Sequence, residues 1–423
     1  MPEQVLSDVP RRAQARIAAL QTQFRAVLVN GARQSGKTTV MLQMADGPGT
    51  YWSLDDQQVR SSALSDPAGF AMHAPGTLMR IDEVQRGGEA LLLAIKRAVD
   101  LDRTPGQFLL AGSTRFLSDP SLRESLAGRA AIVEIWPFSQ GEICRVAEDF
   151  LETSILEPVR LRQRAPKPLT RDDYIDIICT GGFPEILHIE PQYRRTWFRS
   201  YVDAVVTRDI REMTRIRNAS AAGAVLAACG ALTAQELVTT TISQRAQLPR
   251  ETVDRYVSLL ENTFLIHQLR PLSGNALNRA VKRTKVHIVD SGLAAYLQGQ
   301  TVSSLRRRNA SELGPLTETF MVNELAKQAS WAEDDIDLYH YRDHDQAEVD
   351  LVAQHQSGAS VGFEVKAALS VNEADFKHLK KLQTALGDQF SHGYVVYLGT
   401  QILPFGPRLS AIPLSTLWSS AGS

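Results

Sequence analysis

The chain has 423 residues, 43% hydrophobic and 22% charged, with a formal net charge of −1, a composition that excludes disordered and fibrous classes and suits a globular chain of roughly two to four domains. A balanced charge leaves no overall attraction to nucleic acid, so any such contact must come from local patches. No run approaches the roughly 18 to 20 uncharged apolar residues of a membrane span, residues 1–20 carry charges where a signal peptide has its apolar core, and Cys144, Cys179 and Cys229 are too dispersed for a disulfide framework or a zinc site. The expectation is a cytoplasmic protein with no membrane partner and reduced, mostly buried thiols.

The first informative element is the apolar strand Arg25-Ala-Val-Leu-Val-Asn30, which runs into Gly31-Ala32-Arg33-Gln34-Ser35-Gly36-Lys37-Thr38-Thr39. This is the pattern G-x-x-x-x-G-K-[ST] in its strand–loop–helix setting, and it predicts a nucleoside triphosphate site for ATP with Mg²⁺. Gly31 and Gly36 permit the dihedrals that turn successive N–H groups inward around phosphates. Lys37 supplies a point charge, Thr38 a hydroxyl for the metal, and the following helix its N-terminal dipole.

Some forty residues on, Gly76-Thr-Leu-Met-Arg-Ile81 reads as a buried strand ending in Asp82 and Glu83. It resembles a Walker B element. Asp82 can hold the metal's water shell, and Glu83 can orient the attacking water. A third strand, Gln107 to Gly112, ends in Ser113, Thr114 and Arg115. In the additional-strand ATPases, of which the AAA+ group is the main example, a polar residue at this tip contacts the γ-phosphate or the water. Ser113 matches that sensor position, the alternative being a plain strand-to-loop turn. Arg129, in Ser125-Leu-Ala-Gly-Arg129, and Arg115 are candidates for an arginine supplied to a neighbouring subunit's γ-phosphate, which would make the protein a homo-oligomer; a surface role is the alternative.

Taken together, GARQSGKTT, YWSLDD at 51–56, IDEVQR, LLAGSTRF, SLAGR, PFSQGE at 137–142, GGFPE at 181–185, VDSGLAAYL at 289–297 and EVDLV at 348–352 resemble a widespread bacterial and archaeal family of AAA+-type ATPases with a second, uncharacterised C-terminal domain. The resemblance spans nearly the whole chain and implies an ATPase engine more directly than it implies a substrate.

The charged, proline-containing stretch between about 151 and 170 reads as a linker or exposed insertion. Helical periodicity follows over 171–218, with Arg194, Arg195, Arg199, Arg208, Arg211, Arg215 and Arg217 interleaved with acids as on a solvated face. From 219 to 275 the order helix, short helix, turn, longer helix, strand predicts a winged-helix module. Its second helix can lie in a DNA major groove, or the module can pack against a partner. The exposed face of that helix, Arg250, Glu251, Asp254, Arg255, Ser258 and Glu261, has mixed sign, which phosphates disfavour; Arg279, Lys282, Arg283 and Lys285 make a stronger basic patch.

In the last third, strands are predicted over 337–343, 348–353 and 361–367, then a helix over 372–384 and a strand over 393–398. Alternation puts Glu364 and Lys366 on one face with Asp350 alongside on the neighbouring strand. The segment 280–423 resembles PD-(D/E)XK nucleases, in which two such carboxylates hold Mg²⁺ or Mn²⁺ and the lysine positions hydroxide. On the preceding helix Glu318 points into the apolar arc of Met321, Val322 and Leu325, which makes it the better fourth member and Glu324 the second. The alternative is a nuclease-like fold that keeps the residues as a charge cluster or a partner clamp. His340, His344, His355, His378 and His392 read as surface or packing residues. The expected architecture is therefore multidomain α/β: a P-loop AAA+-type parallel-sheet ATPase core over 1–155, a helical region over 171–218, a winged helix over 219–275 and a nuclease-like α/β domain over 280–423.

Overall fold

The computed structural model describes residues 9–44, 49–113, 128–206, 210, 219–272, 283–307, 310–343 and 347–419. The chain divides into two compact units, Met1–Phe138 with Asn262–Phe264, and Ser139–Glu261 with Leu265–Ser423. Among the described residues no helix is long and apolar enough to cross a membrane.

Among the described residues the first unit is built on five strands: β1 (Ala26–Asn30), β2 (Gly49–Ser53), β3 (Leu78–Asp82), β4 (Phe108–Gly112) and β5 (Ala130–Glu134). All pair in parallel, in the order β2-β3-β4-β1-β5. Every residue of β1 and β4 is buried, as continuous apolar runs in a parallel sheet require when both faces are covered. On one face Leu28, Ile81 and Leu110 pack with Leu91, Ile95 and Val99. The last three belong to helix α2 (Gly88–Leu101), and α1 (Lys37–Gln43) sends Val40 and Met41 to the other face against Val27, Val29 and Ile135. Because β4 sits between β1 and β3, the loop after β1, Ser113 after β4 and Asp82 at the end of β3 emerge side by side. The result is a parallel α/β core with the G-x-x-x-x-G-K-[ST] loop at the C-terminal end of β1.

The second unit carries a mixed sheet of nine strands in the order β13-β14-β12-β11-β10-β9-β7-β8-β6. In chain order it holds helix α3 (Ala219–Ala231), β6 (Gln235–Glu236), α4 (Thr239–Ala246), α5 (Arg250–Asn262), β7 (Ile266–Pro271), β8 (Lys285–Ile288), α6 (Leu313–Trp331), β9 (Ile336–Arg342), β10 (Glu348–His355), β11 (Ser360–Lys366), α7 (Lys377–Leu386), β12 (Phe390–Tyr397), β13 (Leu403–Gly406) and β14 (Leu409–Pro413). α7 presents Leu379 and Leu382 to Val349, Val352 and Val395 on one face of the sheet.

Three expectations about organisation change. The first compact unit ends at Phe138 and not at 155, because the following residues are recruited by the second: the Phe150 ring packs at a tilt against Phe363 and Tyr394, and the Leu151 N–H donates to Gln328. The stretch 151–170 is no exposed linker, since helices Phe150–Leu156 and Pro158–Leu161 bury Leu151, Ile155 and Leu161, and buried Arg164 donates to the Ser419 carbonyl. The expected break between 275 and 280 is spanned by the sheet itself, as β7 pairs antiparallel with β8 and parallel with β9. Arg208, Arg211, Arg215, Arg217, Arg279, Lys282 and His344 lie outside the described residues. Cys144 is exposed and only Cys229 is fully buried, so the expectation of mostly buried thiols fails at Cys144.

In this recruited segment Glu148 is half-buried, accepting from the Ser139 hydroxyl and the Gly141 N–H. Burial first, then the charge of Glu324, pushes its carboxyl up to about 8. A carboxyl raised in the fold makes the folded chain the better proton binder, so stability falls as pH rises from its ordinary 4.5 towards 8. Glu148→Gln, which mimics the protonated form, is expected to gain stability over wild type across that window by up to about 1.4 kcal/mol per pH unit, read by urea unfolding at a series of pH values; equal stabilities throughout would show that Glu148 is ionised in the fold.

Candidate functional site

The loop between β1 and α1 is held by tight sterics and one buried cation. A Cβ at Gly31 would lie 2.1 Å from the Ile135 carbonyl oxygen, so only glycine lets the chain turn there. Gln34 and Gly36 both adopt positive φ, 59° and 95°. Arg11, almost fully buried, donates to the carbonyls of Ser35 and Trp136 at 2.6 Å each and lies over the Phe138 ring. Ala32 and Ser35 are buried, Arg33 half-buried, and Thr38 and Thr39 exposed. The Lys37 ammonium donates to the Gly31 and Ala32 carbonyls at 2.9 and 2.8 Å.

Across from the loop, Asp82 is the hub. The Thr38 hydroxyl donates to its Oδ2 at 2.6 Å, the Tyr51 hydroxyl to the same oxygen at 3.2 Å, and the Glu83 N–H to Oδ1 at 2.9 Å. Burial, then the charge of Asp82, pushes the Tyr51 phenol up to about 12, so it stays a donor. Glu83 itself sits at φ 52°, a left-handed conformation costing a non-glycine residue about 1–3 kcal/mol that persists where surrounding structure imposes it. Its carboxylate accepts from Gln85 Nε2 and, at 3.4 Å, from the Ser113 hydroxyl; Gln85 also reaches Ser113 Oγ at 3.2 Å. Burial raises the Glu83 pKa, with Lys37 opposing. The structure thus brings Lys37, Thr38, Asp82, Glu83 and Ser113 together and adds Tyr51, Gln85 and Arg11.

These residues fit a nucleotide phosphate and Mg²⁺. The buried Ser35 hydroxyl has no hydrogen-bond partner among the described residues, and Thr38 with Asp82 is a pair of hard oxygen donors of the kind Mg²⁺ prefers. Arg129 is not part of this group. The Ala26 N–H donates to its carbonyl, so it stands at the end of β1 opposite the loop, and its guanidinium makes a bidentate pair with Asp100. Arg115 lies outside the described residues.

The second unit gathers its acids differently from expectation. Lys285, assigned by sequence to a basic surface patch, is instead 1% exposed; β8 is covered on both sides by strands. Its ammonium lies 2.8 Å from Glu318, 2.6 Å from Glu348 and 3.2 Å from Asp350. Burial opposes its charge, but Asp350, Glu318 and Glu348 outweigh it and hold the pKa well above the usual lysine value. The second oxygen of Asp350 accepts the Val365 N–H. Glu364 has His378 Nδ1 at 3.3 Å and Lys366 Nζ at 3.9 Å; burial, then Asp350, pushes it up to about 9. Burial and Asp350 likewise raise Glu318. Glu324, the second candidate, is elsewhere, accepting from the Gln140 N–H and Lys327. Among the described residues no group of three or more His, Cys, Asp and Glu side chains is arranged to hold a metal. The exposed face of α5 carries Arg250, Glu251, Asp254, Arg255 and Ser258, while Glu261 is half-buried against Gln268.

The Gly31 cradle gives a direct check. Gly31→Ala is expected to lose affinity for a fluorescent ATP analogue by more than about tenfold, an energy above 1.4 kcal/mol, whereas Gly314→Ala, a helical position with nothing within 4 Å of its Cβ, leaves affinity unchanged; unaltered affinity in Gly31→Ala would refute the cradle.

Residues 23–144 match an AAA domain family, residues 171–304 a domain of unknown function (DUF8612) and residues 313–417 another (DUF4143). The chain is 26% identical over 408 residues to uncharacterized proteins of Mycobacterium tuberculosis and Mycobacterium bovis, covering 95% of this chain and 83% of theirs. An uncharacterized protein of Haemophilus influenzae is 20% identical over 303 residues, 66% of this chain and 71% of its own. Among solved structures, a Walker-type ATPase of Pyrococcus abyssi aligns at 14% identity over 69% of this chain and 99% of its own, with a TM-score of 0.41. The RuvB Holliday junction branch migration motor of Thermotoga maritima aligns at 16% identity over 63% and 88%, with a TM-score of 0.25.

Proposed function

We propose that this protein is an Mg²⁺-dependent ATP hydrolase whose turnover is coupled to DNA binding or processing. The observation that carries the reading is the 2.6 Å contact of the Thr38 hydroxyl with Asp82, beside the Glu83–Gln85–Ser113 group. The inward N–H groups of residues 31–36 and the Lys37 ammonium bind the triphosphate. Thr38 and Asp82 would hold Mg²⁺, which when bound neutralises charge developing on the β- and γ-phosphate oxygens. Glu83 orients the attacking water and takes its proton, and Gln85 and Ser113 fix the carboxylate that does so. In a homo-oligomer an arginine from a neighbouring subunit would complete the site; Arg129, held by Asp100 in its own subunit, is the described candidate.

Coupling to DNA rests on the segment from α3 to β8, whose helix–strand–helix–helix–strand–strand order follows the winged-helix layout, with Arg250 and Arg255 exposed on α5. A second reading, a nucleotide-switched regulator of a protein partner, is favoured by the acids on that same face, Glu251 and Asp254, by Arg283 pairing with Glu236, and by Lys285 being unavailable to phosphates.

Two measurements test the reading. Lys37→Ala is expected to abolish ATP binding, while Glu83→Gln binds ATP normally and hydrolyses it about 10²–10⁴-fold more slowly; wild-type turnover in Glu83→Gln would remove Glu83 as the base. Steady-state hydrolysis is expected to rise on adding duplex or single-stranded DNA, and to lose that stimulation in Arg250→Glu/Arg255→Glu. Indifference to every nucleic acid, with hydrolysis intact, selects the regulator.

A further inference from the structure

The carboxylates of the second unit surround a cation that the chain itself provides. Lys285 reaches them from β8, Glu318 from α6, and Glu348 and Asp350 from β10, so three elements converge on one ammonium. A divalent ion would need these same oxygens within about 2.0–2.6 Å of itself, and an ammonium 2.6–3.2 Å from each of them already fills the space between. Of the remaining acceptors, Asp350 Oδ2 takes the Val365 N–H, while Glu364 has His378 Nδ1 and Lys366 Nζ at 3.3 and 3.9 Å and its Oε1 has no hydrogen-bond partner among the described residues. Lys285 is nearly inaccessible and rises from a strand hydrogen-bonded to β6 and β7, so it cannot swing aside as a surface lysine would.

We propose that Lys285 is the resident cation of this cluster, an internal ammonium that holds Asp350 and Glu318, two of the carboxylates that a nuclease-like reading assigns to a divalent ion's site, so that residues 313–417 act as a metal-free module and not as a phosphodiesterase. The cation and the acids come from different matched stretches, 171–304 and 313–417. The ammonium therefore also ties the middle of the chain to its C-terminal strands. The inference is independent of the nucleotide reading, because none of its residues belongs to the loop or to β3.

The test uses the full-length chain, without nucleotide, carrying Lys37→Ala so that the loop plays no part. Mn²⁺ uptake is followed by electron paramagnetic resonance, and nicking of supercoiled plasmid is assayed in parallel. With Lys285 present, no Mn²⁺ is bound at the cluster and no nicking occurs. Lys285→Met, which keeps the length of the side chain without its charge, is expected to bind one equivalent of Mn²⁺ and to lose it again when Glu364→Gln or Asp350→Asn is added. The proposal is overturned if the Lys285 chain takes up Mn²⁺ or nicks DNA in a manner that Asp350→Asn abolishes, or if folded Lys285→Met takes up none. Should circular dichroism show Lys285→Met unfolded, the Lys285 chain decides alone: no uptake supports the proposal, and uptake removed by Asp350→Asn sinks it.

Discussion

The contact between the Thr38 hydroxyl and Asp82 Oδ2 joins residues 44 apart in sequence, and its existence depends on strand order. If β3 lay next to β1, Asp82 would crowd the loop; with β4 inserted between them, the gap is one strand wide and Ser113 stands in it. The sheet spacing of about 4.8 Å thus sets the distance at which the loop after β1, Asp82 and the Glu83–Gln85–Ser113 group face one another. Everything the first unit is proposed to do follows from that spacing and from the buried apolar runs of β1 and β4 that keep the strands in place.

Strain and buried charge are concentrated where this geometry must be held. Glu83 and Gln34 occupy left-handed backbone conformations, and Arg11 is sequestered to satisfy the Ser35 and Trp136 carbonyls. A buried guanidinium is expensive unless all its donors are engaged, so its presence marks the loop as a place where a fixed backbone matters more than stability. The second unit shows the same logic with opposite polarity, as a single ammonium balances a knot of carboxylates whose burial would otherwise be prohibitive.

The two units differ in how much of them could be read from residues alone. For the first, local pattern and three-dimensional placement coincide: the loop of eight residues and the Asp-Glu end of an apolar strand come to face one another, Thr38 donating to Asp82, as the proposed phosphate and metal site requires. Tyr51 and Gln85 lie inside the tracts YWSLDD and IDEVQR but carry no local signal, because their place in the site comes from contacts with Asp82, Glu83 and Ser113 that only the fold creates. For Arg129 the sequence offers only its type after a glycine turn, and its pairing with Asp100, 29 positions away, exists only in the fold. In the second unit the period of two in β10 and β11 predicted that Asp350 and Glu364 belong together, and the helical angle of Glu318 pointed it inward. Lys285, by contrast, looked like one more member of a basic run.

The residues by themselves determined the glycine loop after β1, the acids at the end of β3 and the alternation of the C-terminal strands, because each of these is set by neighbours within a few positions. The fold alone decided that residues 139–170 belong to the second unit, that β7 fuses middle and C-terminal strands into one sheet, and that Lys285 is a buried counter-cation and not a surface one. Those outcomes turn on which apolar faces and unpaired strand edges find each other, and such long-range choices leave no periodic trace in the chain.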